Sequence, residues 1–156
     1  MSTHIATTHW QREATEAFAD NRYHRAHDWC FDGGAQVRGS SAPTSVPLPW
    51  SDPTAVDPEE AFVAALSSCH LLWFLHLAAK AGFVVDDYRD DASGTMRPNA
   101  RGKLAFDQVT LRPVVRFAGT APTAEQHEQL HHRAHDECFI ANSVACAVHC
   151  HPSVAA

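Results

Sequence analysis

Asp57-Pro58-Glu59-Glu60 opens a run that continues AFVAALSSCHLLWFLHLAA from Ala61 to Ala79 and closes on Lys80, Ala81 and Gly82. Asp57 is placed to accept from the free N–H groups of a helix start, Pro58 suits the first helical position, and Glu60 completes an Asp-x-x-Glu capping box. Lys80 complements the negative end of the helix dipole, and Gly82 provides a stop. The run therefore predicts one helix from Pro58 to Ala81, about 36 Å long at 1.5 Å per residue. It is apolar almost all round, the pattern of a helix covered on every side. A membrane span is the competing reading. Against it stand Ser67, Ser68, His70 and His76 inside the run, Glu59 and Glu60 at one end, and no aromatic belt at both ends. The expectation is a core helix and no membrane.

Working outward, residues 23–31 alternate, with Tyr23, Arg25, His27, Trp29 and Phe31 on one face, before Asp32-Gly33-Gly34 supplies a tight hairpin turn. A short strand is expected from Ala35 to Ser40. Pro43, Pro47, Pro49 and Pro53 make residues 41–56 a loop, since each removes a backbone donor; its length suggests a functional rim or an interface arm. Beyond Gly82, strands are expected over Asp86–Met96 and Lys103–Phe117, joined as an antiparallel hairpin through Pro98-Asn99-Ala100-Arg101-Gly102. Thr123 with Gln126 opens a second helix that runs to about Cys138, and Ser143–His151 reads as a last strand. Strands are not alternated with helices throughout, so the class is α+β.

The 156 residues fit one ordinary domain. A formal charge of -6, with 12 basic residues scattered singly, gives no cluster to neutralise a row of phosphates, so no nucleic-acid partner is expected. His4, His9, Arg12, Glu13, Glu16 and Asp20 interrupt the first twenty residues, which predicts no secretory leader and a cytoplasmic protein. Cys30, Cys69, Cys138, Cys146 and Cys150 are odd in number and include no Cys-x-x-Cys pair, unlike a secreted disulfide framework or a zinc ribbon. In a reducing compartment each is packing or chemistry. A cysteine inside an apolar helix, as Cys69 is, is by residue type most often a small buried hydrophobe.

Here the residues carry a resemblance. The run from Asp57 to His70 resembles the acidic entry to the central cysteine helix of the OsmC family. Ala134-His135-Asp136-Glu137-Cys138-Phe139-Ile140-Ala141-Asn142-Ser143 is similar to its second cysteine box. Arg25-Ala26-His27, Phe31-Asp32-Gly33-Gly34, Ser40-Ser41-Ala42-Pro43 and Val109-Thr110-Leu111-Arg112-Pro113 resemble further landmarks, so the likeness spans about nine tenths of the chain. It implies antiparallel sheets packed around a long buried central helix and a second helix, in an intertwined homodimer with active sites at the subunit interface. It implies a hydroperoxide substrate and a place in oxidative-stress defence. Cys69 falls on the attacking position, Cys138 on the resolving one, Glu59 on the acidic partner, and Arg25, with Arg38 as the alternative, on the guanidinium.

The chemistry is compatible. Attack on an O–O bond needs thiolate, while apolar surroundings raise a thiol's pKa, so Cys69 requires a cation or hydrogen-bond donor nearby. Arg25 is the expected cation and Glu59 its orienting partner. Glu59 and Cys69 are ten residues apart, about 15 Å along a straight helix, which favours help from a second chain. Cys138 would condense with the Cys69 sulfenic acid if their Cα atoms approach within about 7 Å, and an external dithiol would reduce the disulfide. No flavin, haem or nicotinamide motif is present, so no cofactor is expected. His70 points about 100° away from Cys69 around the helix and is expected to pack or hydrogen-bond. A metal reading takes His131, His135 and Cys138 at spacings of four and three, with His149-Cys150-His151 as further ligands, although alternation sends His149 and His151 away from Cys150. Cys30, Cys146 and Cys150 otherwise read as inert packing. From another class, a catalytically silent protein of this fold would bind an apolar ligand against Phe62, Trp73 and Phe74.

Overall fold

A computed structural model describes residues 1–155, folded as two compact units, Met1–Ala61 and Phe62 onward. In the first, β1 (Ala6–His9), β2 (His27–Phe31) and β3 (Gln36–Gly39) form an antiparallel sheet in that order. The Asp32-Gly33-Gly34 turn forms as expected, with Gly34 at φ +87 and its N–H on the Phe31 carbonyl at 2.9 Å. Regular pairing begins at His27 and not at Tyr23. The Arg25 N–H is taken by the Trp50 carbonyl at 2.8 Å and the His24 N–H by the Glu16 carboxylate at 2.8 Å. The Pro-rich loop folds back onto this sheet: Val56 forms a parallel bridge with Gly39, and the fully buried Ser40 hydroxyl accepts from the Asp52 N–H at 2.9 Å.

The helix α1 spans Pro58–Lys80. Its capping box closes as the sequence demands, Glu60 N–H donating to Asp57 Oδ1 at 2.7 Å and Asp57 N–H to Glu60 Oε2 at 3.1 Å. Within the chain one strip of it is buried, Leu66, His70, Phe74, Leu77 and Ala78, while Ala64, Ala65, Ser68, Leu72, His76 and Ala79 are exposed. The cover expected on every side is thus supplied on one side by the chain itself. By length and composition α1 would also cross a membrane, but its buried strip packs on sheet and helix residues of its own unit.

The second unit builds on that strip. β4 (Val84–Asp90) pairs antiparallel with β7 (Pro113–Ala118), and β5 (Ser93–Pro98) with β6 (Leu104–Leu111). The expected hairpin is therefore present, but each arm is divided between two sheets. The cause lies at Arg112-Pro113. Proline has no N–H for the ladder, and the Arg112 N–H donates to Asp90 Oδ1 at 2.6 Å while its guanidinium donates to Ser93 Oγ at 2.8 Å. α2 (Ala124–Glu137) is capped by Thr123, with the reciprocal Gln126 bond. His127, Leu130, His131 and Ala134 make its buried stripe. The expected last strand is shorter, β8 (Ala147–Cys150), after a 3-10 turn at Ala141–Ser143 and before β9 (Ser153–Val154). β8 joins β6 and β9 joins β7 in parallel, so both sheets are mixed and not purely antiparallel. One core cluster gathers Phe74, Leu77, Val115 and Leu130, another Leu66, Val109 and Leu111, and α1 contributes to both.

Candidate active site

Cys69 lies half-buried in the middle of α1, and Cys138 caps the C-terminus of α2, buried with 1% exposure. The two thiols are close enough for Cys69 to act on the Cys138 thiol. Two opposing influences act on Cys138. Burial, together with the neighbouring Cys69 thiol, pushes its thiol up to about 11, while the backbone N–H groups of Ala141 and Ile140 favour its thiolate. The Ala141 N–H stands 3.4 Å from Sγ. Cys138 is accordingly a protonated thiol at neutral pH, with two amides in place to receive negative charge when it loses its proton. The local fold holds this arrangement through Asn142, whose side-chain amide donates to the Asp136 and Cys138 carbonyls at 2.7 and 3.0 Å.

Cys69 opens on a cavity of about 310 Å³ lined otherwise by Leu72, Trp73, His76 and Phe139. Trp73 meets Phe139 edge to face at 5.5 Å and His76 at 5.8 Å. The walls are apolar apart from the thiol and one imidazole, so a ligand with a hydrocarbon body and one polar end fits them.

The OsmC-like protein family matches residues 51–152. The chain belongs to the OsmC-like family. An OsmC-like protein of unknown function from Vibrio cholerae is 52% identical, with 97% of this chain and 99% of that one covered and a TM-score of 0.95. Two organic hydroperoxide resistance proteins share the OsmC-like fold at low identity. One, from Elizabethkingia anophelis, is 17% identical, with a TM-score of 0.71 over 99% of this chain and 96% of its own. The other, OhrB of Bacillus subtilis, is 16% identical, with a TM-score of 0.64 over 99% of this chain and 98% of its own. No curated protein matches in sequence.

In this OsmC-like chain Arg25 and Glu59 do not form the pair that the sequence suggests. The Arg25 guanidinium donates to the carbonyls of Asn21 and Tyr23 and lies over the Tyr23 ring, 3.6 Å from its centroid. Glu59 is half-buried on the first turn of α1 and has no ion-pair partner among the described residues. Arg38 bridges to Asp28 at 3.0 Å. Both arginines line a polar cavity of about 420 Å³ in the first unit, beside Glu16, His24 and Trp50. The carbonyls that Arg25 meets are backbone groups of the turn before β2, which residue types do not disclose.

The metal trio His131, His135 and Cys138 is not assembled either, since Cys138 neighbours Cys69 while His131 meets His70. His70 Nε2 stands 3.0 Å from His131 Nδ1, and His131 Nε2 stands 3.2 Å from His127 Nε2. The hydrogen-bonded role expected of His70 is found. Phe74 stacks on His131 at 4.1 Å. Cys150, read as packing, faces this chain of imidazoles, with Sγ 3.7 Å from His70 Nε2 and 3.9 Å from His131 Nδ1. Its inward direction was readable from the alternation of β8, but the parallel pairing that carries it there was not.

Burial, with the charges of neighbouring histidines, lowers His70 from 6.5 to about 4 and His131 to about 2. Both values lie below the unfolded one, so the unfolded chain binds these protons first. The stability due to the neutral rings is full above pH 6.5 and is lost as pH falls toward 4 for His70 and lower for His131. The two together cost about 2 kcal/mol between pH 6.5 and about pH 5.5, or roughly 4–8 °C in Tm. Thermal melts with a chelator present check this, and His131→Leu should roughly halve the slope.

Proposed function

We propose that this protein is a cytoplasmic thiol-dependent peroxidase that reduces organic hydroperoxides, and inorganic peroxide less well, in oxidative-stress defence. The observation that carries the reading is the neighbouring Cys69 and Cys138 thiols, one of which opens on an apolar cavity. The organic hydroperoxide resistance proteins that share its fold support the same reaction class.

In the proposed reaction the Cys69 thiolate attacks one peroxide oxygen. The O–O bond breaks, a S–O bond forms, and the other oxygen leaves as an alcohol after taking a proton. Cys138 loses its proton, assisted by the Ala141 and Ile140 amides, and attacks the sulfenic sulfur; the S–O bond breaks, water departs, and the Cys69–Cys138 disulfide forms. An external dithiol returns both thiols by exchange, itself becoming the disulfide. The reaction also needs a cation beside the Cys69 thiolate; the family resemblance assigns it to Arg25 or Arg38 with Glu59 as acidic partner, a pairing that the single chain does not make. The same reading takes the exposed strip of α1 from Ala64 to Ala79 as the face covered in a homodimer.

Steady-state consumption of cumene hydroperoxide and hydrogen peroxide with a dithiol reductant tests this. We expect kcat/KM to favour cumene hydroperoxide by at least about tenfold, because one well-buried apolar group is worth more than 1.4 kcal/mol. Consumption no faster than free thiol, with ligand-dependent melting and unchanged cysteines, would point to an apolar-ligand binder on the same fold.

A further inference from the structure

We infer that His70, His131 and Cys150 form a binding site for one zinc-class divalent transition-metal ion, separate from the Cys69–Cys138 pair. The three donor atoms, His70 Nε2, His131 Nδ1 and Cys150 Sγ, lie within 4.8 Å of one another. The edges of their triangle are 3.0, 3.7 and 3.9 Å. Zinc bonds of about 2.0–2.1 Å to nitrogen and about 2.3 Å to sulfur, at tetrahedral to trigonal angles, put N···N at roughly 3.3–3.6 Å and N···S at roughly 3.5–3.8 Å. The protein thus holds the donors within a few tenths of an ångström of the spacing such an ion imposes. Three separate elements supply them, α1, α2 and β8, and His70 and His131 are 1% and 2% exposed. Cys150 is half-buried and gives the ion its way in.

The surroundings match a bound cation. A metal-ligating imidazole ordinarily donates its other N–H to a nearby acceptor, and His131 Nε2 has His127 Nε2 at 3.2 Å for that purpose. Burial, and after it the negative charge of Asp90, disfavours a bare Cys150 thiolate. With a dication present the same carboxylate and the thiolate together balance the two positive charges, whereas a monovalent ion would leave one negative charge uncompensated. The Tyr88 hydroxyl is buried without a partner, on a ring whose centroid lies 6.4 Å from that of His131. His70 Nε2 and His131 Nδ1 stand 3.0 Å apart, and His70 Nδ1, which faces away from the ion, has no hydrogen-bond partner in the fold. On binding, the Cys150 proton passes to solvent, and each imidazole keeps one proton on the nitrogen that faces away from the ion.

The test is an anaerobic titration of the reduced, chelator-stripped full-length protein with Co(II), whose thiolate charge-transfer and visible bands report ligand type and geometry. We expect saturation at one ion per chain, tetrahedral-type band intensities, and displacement by Zn(II). The charge-transfer band should be lost in Cys150→Ser and kept in the Cys69→Ser/Cys138→Ser double variant, and His131→Gln should weaken binding at least tenfold. In unsubstituted protein, Zn(II) should protect Cys150 from alkylation, read by peptide mass spectrometry, which decides the matter even if Cys150→Ser does not fold. Absence of binding to folded wild type, or bands that persist in Cys150→Ser and vanish in the double variant, would leave only a buried hydrogen-bonded histidine chain and overturn the proposal.

Discussion

Cys69→Ser abolishes dithiol-dependent peroxide consumption, by at least about a thousandfold, the scale on which loss of a covalent nucleophile acts. A serine hydroxyl is not ionised at neutral pH and does not open an O–O bond. Cys138→Ser behaves differently. Its Cys69 still reacts once, because the attacking thiol and the cavity beside it are intact, but the neighbouring thiol that would trap the sulfenic acid is gone. That acid then climbs to sulfinic acid under excess peroxide. Whole-protein mass spectrometry should find a gain of two oxygens on Cys69 in Cys138→Ser, and neither that gain nor a disulfide in Cys69→Ser. Equal sensitivity of both variants to over-oxidation at some other cysteine would remove Cys69 from the reaction.

The second large effect is on stability. Phe74 is fully buried, stacks on His131 at 4.1 Å and meets Tyr88 and Phe117 at 5.6 and 6.4 Å. Phe74→Ala leaves a cavity where α1, α2 and the β4–β7 pair come together, at a cost of about 3–5 kcal/mol. For a chain of this length that lowers Tm by roughly 6–20 °C. Leu72, two residues earlier, points the other way and is 64% exposed. If the chain worked alone, Leu72→Ala would change stability by less than about 0.5 kcal/mol. The homodimer proposed here instead predicts a clear loss that grows on dilution, since it covers that strip. Melts of both variants at two concentrations separate the two cases.

The caps of both helices were legible because local groups settle them: Asp57 with Glu60, and Thr123 with Gln126, bond to each other within four residues. The Asp32-Gly33-Gly34 turn was legible for the same reason. The short strand Ala6–His9 was not, because its four residues are all exposed and carry no apolar alternation. The division of the long hairpin depends on how Asp90, Ser93 and Arg112 meet, some twenty residues apart, and the mixed sheets depend on where β8 and β9 dock. At the site, family resemblance paired Cys69 with Cys138, and Cys69 lies near enough to act on the Cys138 thiol. Helix spacing placed His131 with His135 and Cys138; instead it meets His70 and Cys150, which lie 80 residues apart and share no local signal. The expected Arg25–Glu59 pair failed because an arginine's partners include backbone carbonyls, which no sequence pattern marks.

The most direct test is to add one equivalent of cumene hydroperoxide to the reduced protein, block free thiols, and map the peptides. The expected result is loss of two thiols per chain and a single new disulfide joining the Cys69 and Cys138 peptides, restored by dithiol. Five free thiols after peroxide, or a disulfide that leaves Cys69 unmodified, would contradict it.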